Sequence, residues 1–110
     1  MIYCFDIDGT LCSNTHGDYE VAEPFAEPIA HVNRLREAGH TIYLYTARGA
    51  TTGIDWRETT ERQLAGWGVG YDALFFGKPT ADVYIDDRAL NSGDWTSAGY
   101  PEPHLIEPRG

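Results

Sequence analysis

Apolar residues along this chain follow two rhythms: short, nearly unbroken runs, and runs that recur every three or four positions. The unbroken kind are "IYCFDI" (2–7), "HTIYLYTA" (40–47), "YDALFF" (71–76) and "DVYID" (82–86). Their length and their content of β-branched and aromatic side chains predict strands, and continuous apolarity predicts burial on both faces of a parallel sheet. The second kind begins with "PFAEPIAHVNRLREA" (24–38), where Phe25, Ile29, Val32 and Leu35 fall at helical spacing. Pro28 suits a first turn there, and Gly39 marks the stop. Residues 55–68, "DWRETTERQLAGWG", predict a second helix with Asp55 as N-cap and a glycine at its end. Trp56 and Trp67, about three helical turns apart, are expected to pack one face of it. The polar stretch "GTLCSNTHGDYEVAEP" reads as a loop with room for a short hairpin, and "RALNSGDW" as a turn or short helix.

The order β-α-β-α-β-β predicts a three-layer, Rossmann-like α/β fold with a mostly parallel sheet. With 110 residues the chain is expected to form one domain, 1–110, ending from about residue 93 in a proline-containing tail. A domain of that size buries roughly 65% of its unfolded surface, enough for a core without staples. In such sheets ligands gather outside the carboxyl ends of the strands. Polar residues cluster at four strand ends here: Asp6 with Asp8, Thr46, Lys78, and Asp86 with Asp87.

Charge narrows the partners. Seventeen acidic residues against eight basic ones leave a net −9, which argues against nucleic acid and against an anionic membrane surface. The sole lysine is Lys78. Cys4 and Cys12 form neither a disulfide framework nor a metal-binding CxxC, and read as a strand residue and a loop thiol. The chain opens directly on a strand, without a basic leader or a long apolar helix, so a cytoplasmic protein is expected.

Two aspartates either side of Ile7 repel each other, and such a pair is costly unless a cation or a reaction needs it. "DIDGT", "YTAR", "GKP" and "VYIDD" resemble, in order and spacing, the four motifs of the haloacid dehalogenase superfamily of phosphatases. The resemblance spans roughly residues 1–90 and implies Mg²⁺ and a phospho-aspartyl intermediate. On that resemblance Asp6 is the nucleophile, and Asp8 protonates the leaving oxygen and then takes a proton from water. Metal ligands are expected from the Asp6 carboxylate, the Asp8 carbonyl and Asp86, with Asp87 binding directly or through water. Thr46, Lys78 and the loop amides from Ala47 onward would hold the phosphate. One lysine and one dication together neutralise three ionised carboxylates. Without them each uncompensated pair of like charges at roughly 4 Å costs about 4 kcal/mol at an effective dielectric near 20.

An acid two positions after the nucleophile favours phosphoryl hydrolysis over dehalogenation, since dehalogenase relatives lack it. Gly9–Glu27 and Thr46–Lys78 are too short for the cap domain of larger relatives, so a capless protein is expected. A partner subunit in a homo-oligomer, or the tail, would have to cover its site. Specificity then falls to residues near the mouth. His16 is the one histidine there, and Arg48 either reaches a second anionic group of the substrate or pairs with a structural carboxylate. The expected substrate is a small phosphorylated metabolite, a sugar phosphate of a polysaccharide pathway by resemblance to capsule-biosynthesis phosphatases. The alternatives are a polynucleotide 3′-phosphatase, a protein phosphatase, and a non-catalytic phosphate-binding or signalling scaffold.

Overall fold

Three parallel strands organise the N-terminal part of the chain: β1 (Ile2–Asp6), β2 (Thr41–Thr46) and β3 (Ala73–Phe76), in the spatial order β1-β2-β3. A computed structural model describes residues 1–97 and 99, and divides the chain into two units, residues 1–80 and 81–110. The register sets Phe5 opposite Leu44, Asp6 opposite Tyr45, Tyr45 opposite Phe75 and Thr46 opposite Phe76. The crossovers carry α1 (Ala26–Glu37) and α2 (Arg57–Gly66). This is an α/β, Rossmann-like arrangement, and the described residues include no cap domain.

The core collects Phe5, Ile7, Leu11, Ile42 and Leu44 with Ile29, Val32 and Leu35 of α1 and Leu64 of α2. Truncating a side chain as enclosed as Leu44 to alanine costs about 2–5 kcal/mol. Among the described residues of the first unit, the strands are not buried on both faces. Alternation sends Phe5, Ile42 and Leu44 into the core, while Ile2, Cys4 and Phe75 are exposed and Tyr43 and Tyr45 half-buried. Tyrosine hydroxyls tolerate that half-wet face, and Tyr43 packs edge-on against Phe75 with ring centroids 5.2 Å apart.

The helix ends obey local chemistry. Pro28 occupies the first turn of α1, where a missing N–H leaves no bond unmade. At the far end Gly39 takes a φ of 97° and its N–H donates to Arg36 O (3.0 Å), while His40 N–H donates to Leu35 O (3.1 Å). Gly68 (φ 73°) and Val69 close α2 in the same way, onto Ala65 O and Leu64 O. Phe25 precedes α1 as its N-cap and so stays partly exposed instead of joining the apolar stripe. The second helix is shorter than its pattern: Trp56 is its N-cap and Trp67 its C-cap, so the two tryptophans flank the helix. Asp55 still satisfies one orphan donor, accepting from Arg57 N–H at 3.0 Å.

Residues 7–25 return on themselves in a hairpin-like path, with Ser13 N–H donating to Glu23 O and Phe25 N–H to Leu11 O, both at 2.8 Å. A 3-10 turn, Tyr19–Val21, sits at the tip of this loop. In the second unit residues 82–86 form no strand, contrary to their pattern, and Val83 and Ile85 are exposed. A run of β-formers supplies propensity, but a strand exists only where a ladder partner completes its hydrogen bonds. The short helix α3 (Ser92–Ser97) buries Trp95 and occupies the start of the expected tail. The prolines of that tail, Pro101, Pro103 and Pro108, lie outside the described residues. Among the described residues no helix is long and apolar enough to cross a membrane.

Candidate active site

At the carboxyl end of β1 the chain places Asp6 as the last strand residue, then turns. Gly9, with φ 84°, carries the turn; Thr10 and Leu11 N–H groups donate to Ile7 O, and Gly9 N–H donates to Cys12 O (2.8 Å). The Asp8 carbonyl takes none of the backbone bonds that shape this turn. Ile7 is fully buried between the two acids.

β3 delivers the cation. Lys78 N–H donates to Thr46 O (3.2 Å), which carries the β2–β3 pairing past the strand end. From there Nζ comes to 3.5 Å of Asp6 Oδ2 and 4.8 Å of the Tyr45 ring centroid. The Lys78 side chain is 11% exposed and that of Asp6 33%. Burial pushes the Asp6 carboxyl above its ordinary value, and Lys78, with the Ile7 amide, offsets part of that. Asp6 is thus a desolvated carboxylate that its one ammonium partner does not fully compensate.

Asp8 is held differently. Arg48 Nη2 donates to Oδ1 (2.9 Å) and Nε to Oδ2 (3.0 Å), a two-pronged ion pair in which the Arg48 side chain is 0% and the Asp8 side chain 17% exposed. The other guanidinium arm, Nη1, donates to Thr60 Oγ1 (3.0 Å) and Gln63 Oε1 (2.7 Å) on α2. Tyr19 lays its ring on the guanidinium, 4.7 Å from the centroid, and meets Trp56 edge-on. Gln63 Nε2 donates to Tyr19 O at 2.6 Å, fastening the 3-10 turn to α2. Cys12 is the loop thiol expected, but a buried one, and its Sγ donates to Asp8 Oδ1 at 3.5 Å. Burial, then the Asp8 charge, pushes the Cys12 thiol up to about 12, which leaves it protonated and unreactive.

Arg48 therefore does not reach for a second anionic group of a substrate. All of its nitrogens point into the protein, and the structural-carboxylate alternative is the one adopted, with Asp8 as that carboxylate. Thr46 is fully buried at the end of β2, and its Oγ1 accepts the Arg48 N–H (3.0 Å), leaving the hydroxyl proton to donate. Ala47 is half-buried, its carbonyl accepting Ala50 N–H in the loop that follows. Gly49 (φ 82°) lets this loop close, since a Cβ there would run into the Ile54 carbonyl. His16 stands exposed at a left-handed residue (φ 54°), and no described contact brings it to Asp6, Asp8 or Lys78. Its substrate role has no support from these contacts.

Asp86 and Asp87 belong to the second unit and are exposed there, with Asp86 Oδ1 accepting Arg88 N–H at 2.7 Å. Within residues 1–80 no three His, Cys, Asp or Glu side chains assemble into a metal cluster. The donors nevertheless suit a hard dication: an under-compensated Asp6 carboxylate and an uncommitted Asp8 carbonyl, both oxygen. Thr60 and Gln63 are the members of the site that the sequence pattern did not single out. Thr60 and Gln63, three positions apart on α2 beside the core residue Leu64, were the available signal.

The fold is shared with known structures. A structural-genomics crystal structure from Vibrio cholerae is 27% identical, with a TM-score of 0.79 and coverage of 94% of each chain. A chain of a Pnkp1/Rnl/Hen1 complex is 26% identical over 78% of this chain, with a TM-score of 0.56. A second such chain, from a structure described as the Pnkp1/Rnl/Hen1 RNA repair complex, is 23% identical over 93% of this chain, with a TM-score of 0.55. This protein spans only 30% and 32% of those two chains. No protein-family model and no curated protein matches the sequence.

Proposed function

We propose that this protein is a divalent-metal-dependent phosphomonoesterase of the haloacid dehalogenase type, acting through a phosphorylated Asp6. The observation that carries the reading is the Asp6–Lys78 pair at the carboxyl ends of β1 and β3, with the Arg48-held Asp8 two residues along. A half-buried, partly compensated carboxylate is a candidate nucleophile, and a compact ammonium beside it suits a phosphoryl group.

In the first half-reaction an Asp6 oxygen attacks phosphorus and the bond from phosphorus to the ester oxygen breaks. Asp8 gives its proton to the departing oxygen. In the second, water attacks the phosphorus of the aspartyl phosphate, its proton passes to Asp8, and inorganic phosphate leaves with Asp6 restored. Lys78 neutralises charge on the phosphoryl oxygens, and the Thr46 hydroxyl donates to one of them. The Asp6 carboxylate and the Asp8 carbonyl would hold Mg²⁺. The ion would supply charge neutralisation where phosphate meets carboxylate.

The preferred substrate is a small phosphorylated metabolite such as a sugar phosphate, because an acidic, uncapped protein does not attract a polyanionic strand. The likeness to chains of the Pnkp1/Rnl/Hen1 complex favours a second reading, removal of a phosphate from a polynucleotide end. Phosphate release from sugar phosphates, nucleotides and a 3′-phosphorylated oligonucleotide, with Mg²⁺ or with chelator, separates them. Wild type is expected to release phosphate only with Mg²⁺. Asp8→Asn should fall by about 100-fold or more, the usual worth of a general acid–base. Turnover in chelator, or a fully active Asp8→Asn, overturns the mechanism.

A further inference from the structure

Every side-chain nitrogen of Arg48 is engaged within the protein, yet none of its bonds can touch a substrate. Nε and Nη2 grip both oxygens of Asp8, and Nη1 is tied to Thr60 and Gln63. The ring of Tyr19 covers its face. A buried ion pair seldom returns the desolvation cost of its two charges, so stability alone is a poor reason for placing one beside the reacting carboxylate. What a two-pronged guanidinium does supply is direction. It fixes the plane of the carboxyl group as well as its place, which a single bond or a lysine cannot do. Each carboxyl oxygen keeps a further lone pair outside the fork, on which a proton can ride.

The turn at Gly9 carries the Asp8 backbone, but α2 determines where its side chain points. The chain of contacts runs from Thr60 and Gln63 through Arg48 to Asp8. Gln63 also holds the Tyr19 carbonyl, so the loop tip and the acid share one anchor.

We infer that Arg48 is a positioning residue for proton transfer. Anchored on Thr60 and Gln63, it aims the Asp8 carboxyl at the leaving-group oxygen and makes no contact with the substrate itself. The inference rests on the phosphatase reading and adds to it the device that orients the acid.

Leaving-group chemistry tests it. An alkoxide cannot depart without a proton, whereas p-nitrophenolate can, so a misaimed acid harms alkyl phosphates selectively. The probes are p-nitrophenyl phosphate and glucose 6-phosphate, or the alkyl phosphate turned over best in the panel above. Arg48→Met is expected to lower kcat on the alkyl ester by roughly 100-fold and on the aryl ester by less than about 10-fold, the pattern expected of Asp8→Asn. Arg48→Lys, which keeps the charge and loses the fork, should fall between Met and wild type. The double variant Arg48→Met/Asp8→Asn should be no slower than Asp8→Asn alone, because residues acting as one unit are not additive.

Equal losses on both esters, an unchanged alkyl rate, or an additive double variant would each overturn the inference. Should Arg48→Met fail to fold, Gln63→Met carries the same test with the Asp8–Arg48 pair intact. A selective loss of several-fold on the alkyl ester supports the inference, and an equal loss or none overturns it. If wild type hydrolyses neither ester, the phosphatase reading itself has failed, an outcome distinct from all of these.

Discussion

Asp6 carries a charge the fold does not fully welcome. Burial raises its carboxyl pKa above the ordinary value, more than Lys78 brings it down. A carboxyl raised on folding binds its proton more tightly in the native state, so ionising it destabilises the fold as pH rises past its unfolded value. Asp6→Asn should therefore abolish phosphate release and at the same time raise the melting temperature at pH 7. That gain should vanish below the ordinary carboxylate pKa of 3.8, where both forms are neutral. Thermal unfolding of both proteins across pH 3–8 checks the sign; a destabilised Asn variant at neutral pH would show Lys78 to be the larger influence. Spacing in the sequence was enough to locate Asp6, Asp8, Lys78 and Thr46 at strand ends. It did not reveal the partner of Arg48, because a long side chain two residues past a strand can turn outward or inward. Only the polar pocket made by Thr60, Gln63 and Asp8 decides that it turns inward.

The elements depend on local chemistry that reads well along the chain, and on pairing that does not. Both helices end at glycines in left-handed conformations, as their sequences predict. The start of β3 is less obvious. Asp72 N–H donates to Ile42 O (2.8 Å), and Asp72 Oδ2 accepts Ile42 N–H (2.8 Å), so a side chain extends the β2–β3 ladder by one step. The Ile42 amide first, and then Arg36, hold the Asp72 carboxyl below its ordinary value of 3.8. A carboxyl depressed on folding stabilises the fold above its unfolded pKa and loses that effect as pH falls through the folded value. Asp72→Ala should thus lower the melting temperature at pH 7, and by progressively less as pH drops below 3.8. A deficit that stays constant with pH would assign the effect to the backbone turn instead. The two tryptophans and residues 82–86 show the opposite case. Periodicity predicted a longer helix and a fourth strand, but helix ends are decided by caps, and a strand requires a neighbour's hydrogen bonds.

For the whole molecule the dominant fact is its charge of −9. Long-range repulsion slows the approach of a polyanion, and salt relieves it. If the substrate is a small phosphate ester, kcat/KM for a 3′-phosphorylated oligonucleotide should be no higher than for the corresponding 3′-mononucleotide, and should rise with added salt. A protein built to track a nucleic-acid strand shows the reverse, losing affinity steeply as salt increases. Measuring both substrates between low and physiological ionic strength separates the two readings without reference to the active-site residues.

The order of β1, α1, β2, α2 and β3, the stop signals of α1 and α2, and the placing of Asp6, Thr46 and Lys78 at strand ends were all determined by the sequence. Each follows from patterns that repeat within a few residues, or from where the chain must turn. The tertiary structure alone decided that Ile2, Cys4 and Phe75 are exposed while Phe5, Ile42 and Leu44 enter the core. It also decided that Cys12 is sealed beside Asp8 and that Arg48 serves α2 and Asp8 instead of solvent. The engagement of Arg48 depends on residues 12 to 40 positions apart meeting in space, where desolvation favours pairing of a buried charge.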